Sequence, residues 1–224
     1  MKKYLPTIIV GVVVVAIIGF VIWAASSPKN DGSQSADSDQ TSQVATEAQQ
    51  KELRTGWNQG NPQAKVVVTE FGDFQCPACG RIHPQVKNEL IPKYGDRILF
   101  VFKNFPLDMH KNSWPSAQAA EAAGAQGKYW EMHNLLYEKQ DEWSELASPN
   151  DKFVGYAQGL GLDVNKFKAD IEAQRFKDRI QADVDLGKQL DLPGTPSFYV
   201  NGQPVDLQTG IKDVESAIDK ALGQ

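Results

Sequence analysis

The segment EFGDFQCPAC, residues 70–79, decides the fold and the chemistry that we predict for this chain. It joins the end of a β-branched run, KVVVTEF at residues 65–71, to a helical pattern that starts at Pro77. A short apolar run of this kind is typical of a buried strand, and proline is favoured at the first position of a helix. Cys76 and Cys79 are the only cysteines among 224 residues. The segment therefore places both thiols at a strand-to-helix turn.

The residues after this turn predict a strand–helix–strand unit. The helical pattern runs from Pro77 to about Tyr94, and we expect Pro84 to kink it. Residues 97–102, RILFVF, predict a second strand. A crossover connection of this length favours a parallel strand pair.

The remainder of the chain predicts a block of helices followed by a hairpin and a last helix. Residues from about 105 to 191 are mostly helical in pattern. Residues 197–200 are strand-like, and Asn201-Gly202 is a strong two-residue hairpin signal. Apolar residues at helical spacing over 211–222 predict a C-terminal helix. The order is typical of an α/β fold.

Two segments precede the predicted domain, which we expect to span residues 53–224. Residues 5–25 are an uncharged apolar run behind Lys2 and Lys3, and about 20 apolar residues suffice to span a bilayer. We expect a membrane anchor over residues 1–25, with a signal peptide cleaved near residue 25 as the alternative. The positive-inside rule leaves the lysines in the cytoplasm and sends the rest of the chain out. Residues 26–52 are polar and predict a flexible tether.

The charge balance excludes one class of partner. The net charge is −5, and a mildly acidic chain is unsuited to nucleic acid. No dimerisation domain is evident, and we expect a monomer.

The Cys-x-x-Cys pair itself predicts redox chemistry. The N–H groups and the dipole at a helix N-terminus stabilise an anion, which favours a Cys76 thiolate as nucleophile, with Cys79 as the resolving thiol. An inert disulfide and half of a zinc site are the alternatives. His83, His110 and His133 lack the spacing of zinc ligands, and we expect packing or surface roles for them.

Three motifs together resemble the DsbA-like thiol–disulfide oxidoreductases of the thioredoxin superfamily, in their membrane-anchored bacterial form. They are GNPQAKV at 60–66, EFGDFQCPAC at 70–79 and GTPSF at 194–198. The FPL sequence before His110 and the GKYW sequence before His133 match weaker patterns. The resemblance covers about residues 60–222.

The resemblance implies a thioredoxin fold with a helical domain inserted between the second and third core strands, at about 105–191. It implies a redox-active Cys76–Cys79 disulfide and a cis Thr195–Pro196 bond, whose neighbouring backbone binds substrate peptides. It also implies that Glu70 lies under the disulfide and assists proton transfer to the buried thiol.

Pro77 and Ala78 stand between the cysteines as supporting residues, and Ala78 departs from the family pattern. Many strong oxidases of the family carry histidine at that place. Alanine cannot help to hold the thiolate, so we expect a less stabilised Cys76 and a less oxidising potential. Asp73 is interpreted as a loop acid that caps or turns the chain.

The predicted function is oxidation of cysteine pairs in exported proteins, outside the cytoplasm and without a cofactor or a metal. The anchor contains no cysteine, so reoxidation requires a separate, quinone-linked membrane partner. A reductase or isomerase on the same fold and a peptide-binding chaperone with a structural disulfide are the alternatives. An oxygen-ligand metal site in the acidic loops stays open.

Overall fold

The computed structural model describes residues 42–224 and has a mixed α/β fold. Five strands form one sheet in the order β1-β3-β2-β4-β5. The β2–β3 pair is parallel, which confirms the prediction, and the other neighbours are antiparallel. The strands are β1 (Trp57–Gly60), β2 (Val66–Gly72), β3 (Ile98–Asn104), β4 (Ser197–Val200) and β5 (Gln203–Val205).

The two parallel strands form the centre of the molecule. Every residue of β2 and β3 is buried, as expected for strands whose sequences are nearly continuous apolar runs. The edge strand β1 alternates between half-buried and exposed positions. It was not predicted, because the four residues WNQG carry no β-branched pattern.

Ten α-helices surround the sheet in the described part of the chain. Six of them, α4 to α9, lie between β3 and β4, within the range 105–191 where we expected helices. The helices are α1 (Glu47–Leu53), α2 (Pro77–Gln85), α3 (Ile91–Tyr94), α4 (Ser113–Gly124), α5 (Tyr129–Glu138), α6 (Gln140–Trp143), α7 (Asn150–Gly159), α8 (Val164–Glu172), α9 (Lys177–Gln189) and α10 (Ile211–Leu222).

The interruption expected at Pro84 takes the form of a wider turn. Helix α2 ends at Gln85, and a π-helical segment, Val86–Leu90, follows before α3 begins. Proline has no N–H to donate to the preceding turn and its ring crowds that turn. The helix relieves this by widening for one turn.

The predicted hairpin forms at Asn201-Gly202. Both residues have positive φ, 49° and 77°, which is the geometry of a two-residue hairpin turn and favours an Asn-Gly sequence. The Asn201 side chain also accepts a hydrogen bond from Val67 N at 2.8 Å. The turn is therefore tied to the central strand.

The flexible tether predicted over residues 26–52 is wrong for its described C-terminal part. Residues 47–53 form α1, whose capping box joins Thr46 and Gln49. Ala45 is buried and its N–H donates to Gly202 O at 2.8 Å. The capping box satisfies the first N–H groups of the helix, and a few apolar side chains suffice to dock it. The rest of the predicted tether and the anchor over 1–25 lie outside the described residues. Within residues 42–224 no helix has both the length and the apolar character needed to cross a membrane.

Candidate functional site

The two cysteines lie on the first turn of α2. Cys76 is the N-cap residue, with the extended backbone of φ −66° and ψ 121°, and Cys79 follows one turn later. Both are reduced. Cys76 is 6% exposed and Cys79 is 0% exposed, while Pro77 between them is exposed. An incoming sulfur atom therefore reaches Cys76 and not Cys79.

The surroundings of Cys76 stabilise its thiolate. A hydrogen bond from Cys79 is the largest contribution, and together with the backbone N–H groups of Cys79 and Ala78 it lowers the pKa of Cys76 to about 5, although burial acts in the opposite direction. Thiolate is the reactive form in disulfide exchange. Cys76 is therefore ionised at neutral pH.

Cys79 behaves in the opposite way. Burial, followed by the hydrogen bond and the charge of Cys76, raises the pKa of Cys79 well above its usual value. A protonated, inaccessible thiol next to a thiolate fits the role of a resolving thiol. The division of roles between the two cysteines stays a prediction.

The GTPSF motif, residues 194–198, lies directly against the cysteine motif. Residues 191–196, here called the cis-proline loop, lead into β4, and the Thr195–Pro196 peptide bond is cis. The Thr195 carbonyl oxygen is 3.3 Å from Cys76 Sγ. The contact joins residues 119 positions apart in the chain. It forms because β4 pairs antiparallel with β2, which ends just before Cys76.

Glu70 is buried in the centre of the sheet beneath the cysteines. It is 3% exposed and lies between Phe102 of β3 and Phe198 of β4 in the strand register. Burial raises the pKa of Glu70 to about 8, so the carboxyl is protonated at neutral pH. Its charge, when present, raises the pKa of Cys79. A buried acid coupled to the buried thiol is the arrangement that a proton donor to Cys79 needs.

Replacing Glu70 with glutamine is expected to flatten the dependence of stability on pH. The folded pKa of Glu70 lies above its unfolded value, so its contribution is fully present below about pH 4.5 and is lost as pH rises through 8. The shift corresponds to about 5 kcal/mol. Urea unfolding at pH 4.5, 6 and 8 measures it, with the exposed Glu89→Gln as the matched control. Parallel pH curves for the parent and Glu70→Gln would show that Glu70 titrates normally.

Asp73 organises the loop between β2 and α2. Its carboxylate is fully buried. It accepts hydrogen bonds from Gln75 N at 2.8 Å, Leu107 N at 3.1 Å and the Ser113 hydroxyl at 2.8 Å, and it contacts His110 Nδ1 at 2.6 Å. Asp73 is thus the loop acid that the sequence predicted. His110 has a structural role as its partner.

The other two histidines are packing residues. His83 and His133 are both 4% exposed, and their rings pack against Tyr137 with centroid distances of 4.9 and 5.1 Å. Burial lowers the pKa of His83 to about 4 and that of His133 to about 3. Both are neutral at pH 7.

Two glutamines that support the cysteine turn were not predicted from the sequence. Gln140 Nε2 donates to Phe74 O at 2.6 Å and to Cys76 O at 3.1 Å. Gln75 Nε2 donates to Ser144 O at 2.7 Å. Gly80 leaves room for Gln140, since a Cβ there would lie 3.0 Å from its side chain. These bonds join the helical insert to the cysteine turn, and no local motif marks them.

The described residues provide no set of side chains that could bind a metal ion. Across residues 42–224 no group of three or more histidine, cysteine, aspartate or glutamate side chains lies close enough to hold an ion. Among the described residues, no third metal-binding side chain lies beside the two thiols.

A stabilised thiolate at a helix N-terminus, a buried partner thiol and a cis-proline loop against them define a thiol–disulfide oxidoreductase of the thioredoxin fold. The comparisons agree. The thioredoxin family model matches residues 52–220. The probable disulfide bond formation protein D of Bacillus cereus is 33% identical over 171 residues, which cover 73% of this chain and 77% of that protein. The chain belongs to this family of DsbA-like thiol–disulfide oxidoreductases.

Two further proteins are similar to this chain, over very different shares of their own length. The structure of oxidised BdbD from Bacillus subtilis is 25% identical, covers 75% of this chain and 92% of its own, and has a TM-score of 0.66. The Na⁺/H⁺ antiporter NhaA 1 of Salinispora arenicola is 39% identical over 164 residues, which are 73% of this chain but 24% of the antiporter. The chain thus spans about a quarter of the length of that relative.

Proposed function

We propose that this oxidoreductase works as an oxidase, which introduces disulfides into exported proteins. The observation that carries the proposal is the low pKa of Cys76, about 5. A stabilised thiolate favours the reduced state of the Cys76–Cys79 pair, and an enzyme with a stable reduced state takes electrons from its substrates.

In the first step a substrate thiolate attacks Cys76 Sγ of the oxidised enzyme. The Cys76–Cys79 bond breaks as the mixed disulfide forms, and the electron pair of the broken bond leaves with Cys79. The Cys79 thiolate takes up one proton, because burial disfavours its charge. Glu70, protonated at neutral pH, is the nearby acid that supplies this proton.

In the second step the other substrate thiolate attacks the substrate sulfur of the mixed disulfide. A substrate disulfide forms and Cys76 leaves as a thiolate, held by the Cys79 thiol and the backbone N–H groups of Cys79 and Ala78. Two electrons have passed from the substrate to the enzyme pair. Thr195 and Pro196 hold the peptide beside Cys76, where the half-buried Thr195 backbone pairs with an extended segment as a short added strand.

The proposal places the catalytic domain outside the cytoplasm, on a single N-terminal membrane anchor, as a monomer. The uncharged run of residues 5–25 supports the anchor, and disulfide formation suits an oxidising compartment. The proposed partner for reoxidation is a quinone-linked membrane protein that accepts the two electrons.

The experiment mixes the oxidised protein with a reduced peptide that contains two cysteines, and follows both disulfides by mass. We expect an intramolecular peptide disulfide and a reduced enzyme in equal amounts. In the reverse arm the reduced protein meets the oxidised peptide. If the reverse reaction goes further than the forward one, the enzyme is a reductase and the proposed direction is wrong.

A further inference from the structure

The first described residues of the chain contact the catalytic loop. Residues 42–46, here called the N-terminal strap, run from the end of α9 to the β4–β5 turn. Gln43 N donates to Leu190 O at 3.0 Å, and Ala45 N donates to Gly202 O at 2.8 Å. The strap therefore starts next to the residue that opens the cis-proline loop.

The strap holds the entrance of the cis-proline loop at two neighbouring residues. Besides the backbone bond to Leu190, the Gln43 side chain donates to the Asp191 carboxylate. Asp191 has a φ of 51°, a left-handed conformation that is uncommon for a residue other than glycine. The Gln43 side chain thus binds the loop at Asp191, the residue whose left-handed backbone turns the chain away from the end of α9.

The strap also holds the exit of the loop, through Tyr199. This residue lies on β4, three residues after Pro196, and its ring is buried. Its hydroxyl donates to Gln43 O at 3.0 Å, with Leu190 O as a weaker second acceptor at 3.4 Å. One hydroxyl therefore joins the strap, the entrance and the exit of the loop.

A buried apolar contact fixes the strap in place. Ala45 is 3% exposed and packs in a cluster with Phe71, Leu190 and Tyr199, among others, whereas the adjacent Val44 is 57% exposed. The half-buried Leu192 of the cis-proline loop packs against the same cluster. Buried apolar contact and paired backbone groups together make docking specific.

We propose that the N-terminal strap is a positioning element of the active site, which holds both ends of the cis-proline loop so that Thr195 stays against Cys76. The inference rests on thiol–disulfide exchange alone and is independent of the direction of electron flow. When the strap is displaced, the Leu190 carbonyl and the Tyr199 hydroxyl lose their shared partner. The loop then relaxes away from Cys76, so that the thiol loses its acceptor, the Thr195 carbonyl oxygen, and water reaches the sulfur atom. Both changes favour the thiolate.

The test compares Ala45→Arg with Val44→Arg in the full chain. The two variants carry the same new charge at neighbouring positions, one buried and one exposed. The readout is the pH at which alkylation of Cys76 is half-maximal, together with the melting temperature. We expect Ala45→Arg to move this pH downward by about half a unit and Val44→Arg to match the parent. Equal half-points in the two variants would overturn the proposal.

A second pair guards against simple loss of folding in Ala45→Arg. Tyr199→Phe removes the hydroxyl that joins the strap to the loop. Tyr94→Phe removes a similarly bonded hydroxyl, at 3.1 Å from Glu215 O and 2.7 Å from Asp219 Oδ1, on α3. A merely structural role predicts that both variants lose stability without changing Cys76. The strap proposal predicts a downward shift in the Cys76 half-point for Tyr199→Phe only, and an unchanged half-point in that variant contradicts it.

Discussion

Replacing Cys76 with serine is expected to reduce disulfide exchange to the uncatalysed rate, with no loss of the fold. Cys76 is the thiol that an incoming sulfur reaches, and its pKa of about 5 makes it the thiolate at neutral pH. In another covalent enzyme, removal of the nucleophile costs on the order of 10⁶ in rate. Oxidation of a reduced two-cysteine peptide in a buffer that contains oxidised glutathione, with the parent or the variant added, measures the loss, and circular dichroism checks the fold.

The matched variant is Cys79→Ser, which keeps the nucleophile and removes the resolving thiol. With the oxidised two-cysteine peptide, we expect it to accumulate a mixed disulfide, because the Cys76 thiolate attacks the peptide disulfide and one peptide sulfur leaves as a thiolate. The buried Cys79 thiol, which would attack Cys76 Sγ and release the peptide, is then absent. If the Cys76→Ser protein formed this adduct through Cys79 instead, the assignment of the two roles would be reversed.

The second large effect is the pH dependence of Cys76 alkylation in the folded, reduced protein. We expect half-maximal reactivity near pH 5 and a plateau above about pH 6. At pH 6 the thiolate fraction exceeds that of an ordinary thiol with a pKa near 8.5 by about 300-fold. Intrinsic nucleophilicity falls about 40-fold over the same shift. The net rate advantage at pH 6 is therefore about sevenfold.

The urea-unfolded protein is the control for this measurement, since the hydrogen bonds to Cys76 are then absent. Its rate should continue to rise beyond pH 8, as for a free thiol. The lowered pKa of Cys76 also stabilises the folded, reduced protein against unfolding. This contribution is fully present above the pKa of Cys76 in the unfolded chain and is lost as pH falls through 5. A folded protein whose rate still rises between pH 7 and 9 would show that Cys76 is not a stabilised thiolate.

The sequence predicted the parts of the fold that depend on neighbouring residues. The Val-rich run before Cys76 and the run RILFVF became a parallel pair because continuous apolar runs suit strands buried on both faces. The Asn-Gly turn formed at the predicted residues, since few dipeptides tolerate two positive φ values. Glu70 was also found from the sequence, because an acid within a β-branched run is bound to be desolvated.

The rest depends on contacts between distant residues, which local patterns do not mark. Gln140 supports the cysteine turn across 64 residues, and nothing in its own neighbourhood distinguishes it from a surface glutamine. The strap was interpreted as tether because its composition is polar. Its docking relies on one alanine and a few backbone bonds. The packing role expected for His83 has its partner far along the chain, since the His83 ring packs against Tyr137 of the helical insert.

The Ala78 position bears directly on the strength of the oxidant. Ala78 contributes a backbone N–H to the Cys76 thiolate and no side-chain donor. The resulting pKa of about 5 lies between the values of about 3.5 for a strong oxidase and about 7 for thioredoxin. This agrees with the expectation of a thiolate that is less stabilised than in the strongest oxidants.

The reduction potential of the Cys76–Cys79 couple tests the proposed oxidase most directly. One pKa unit corresponds to about 30 mV for a two-electron couple, so the Cys76 pKa predicts a potential between about −160 and −210 mV, when referred to about −120 mV for DsbA and about −270 mV for thioredoxin. Equilibration with glutathione buffers under anaerobic conditions measures it. A value in the predicted range supports electron flow from substrate to enzyme, and a value near −270 mV would contradict it.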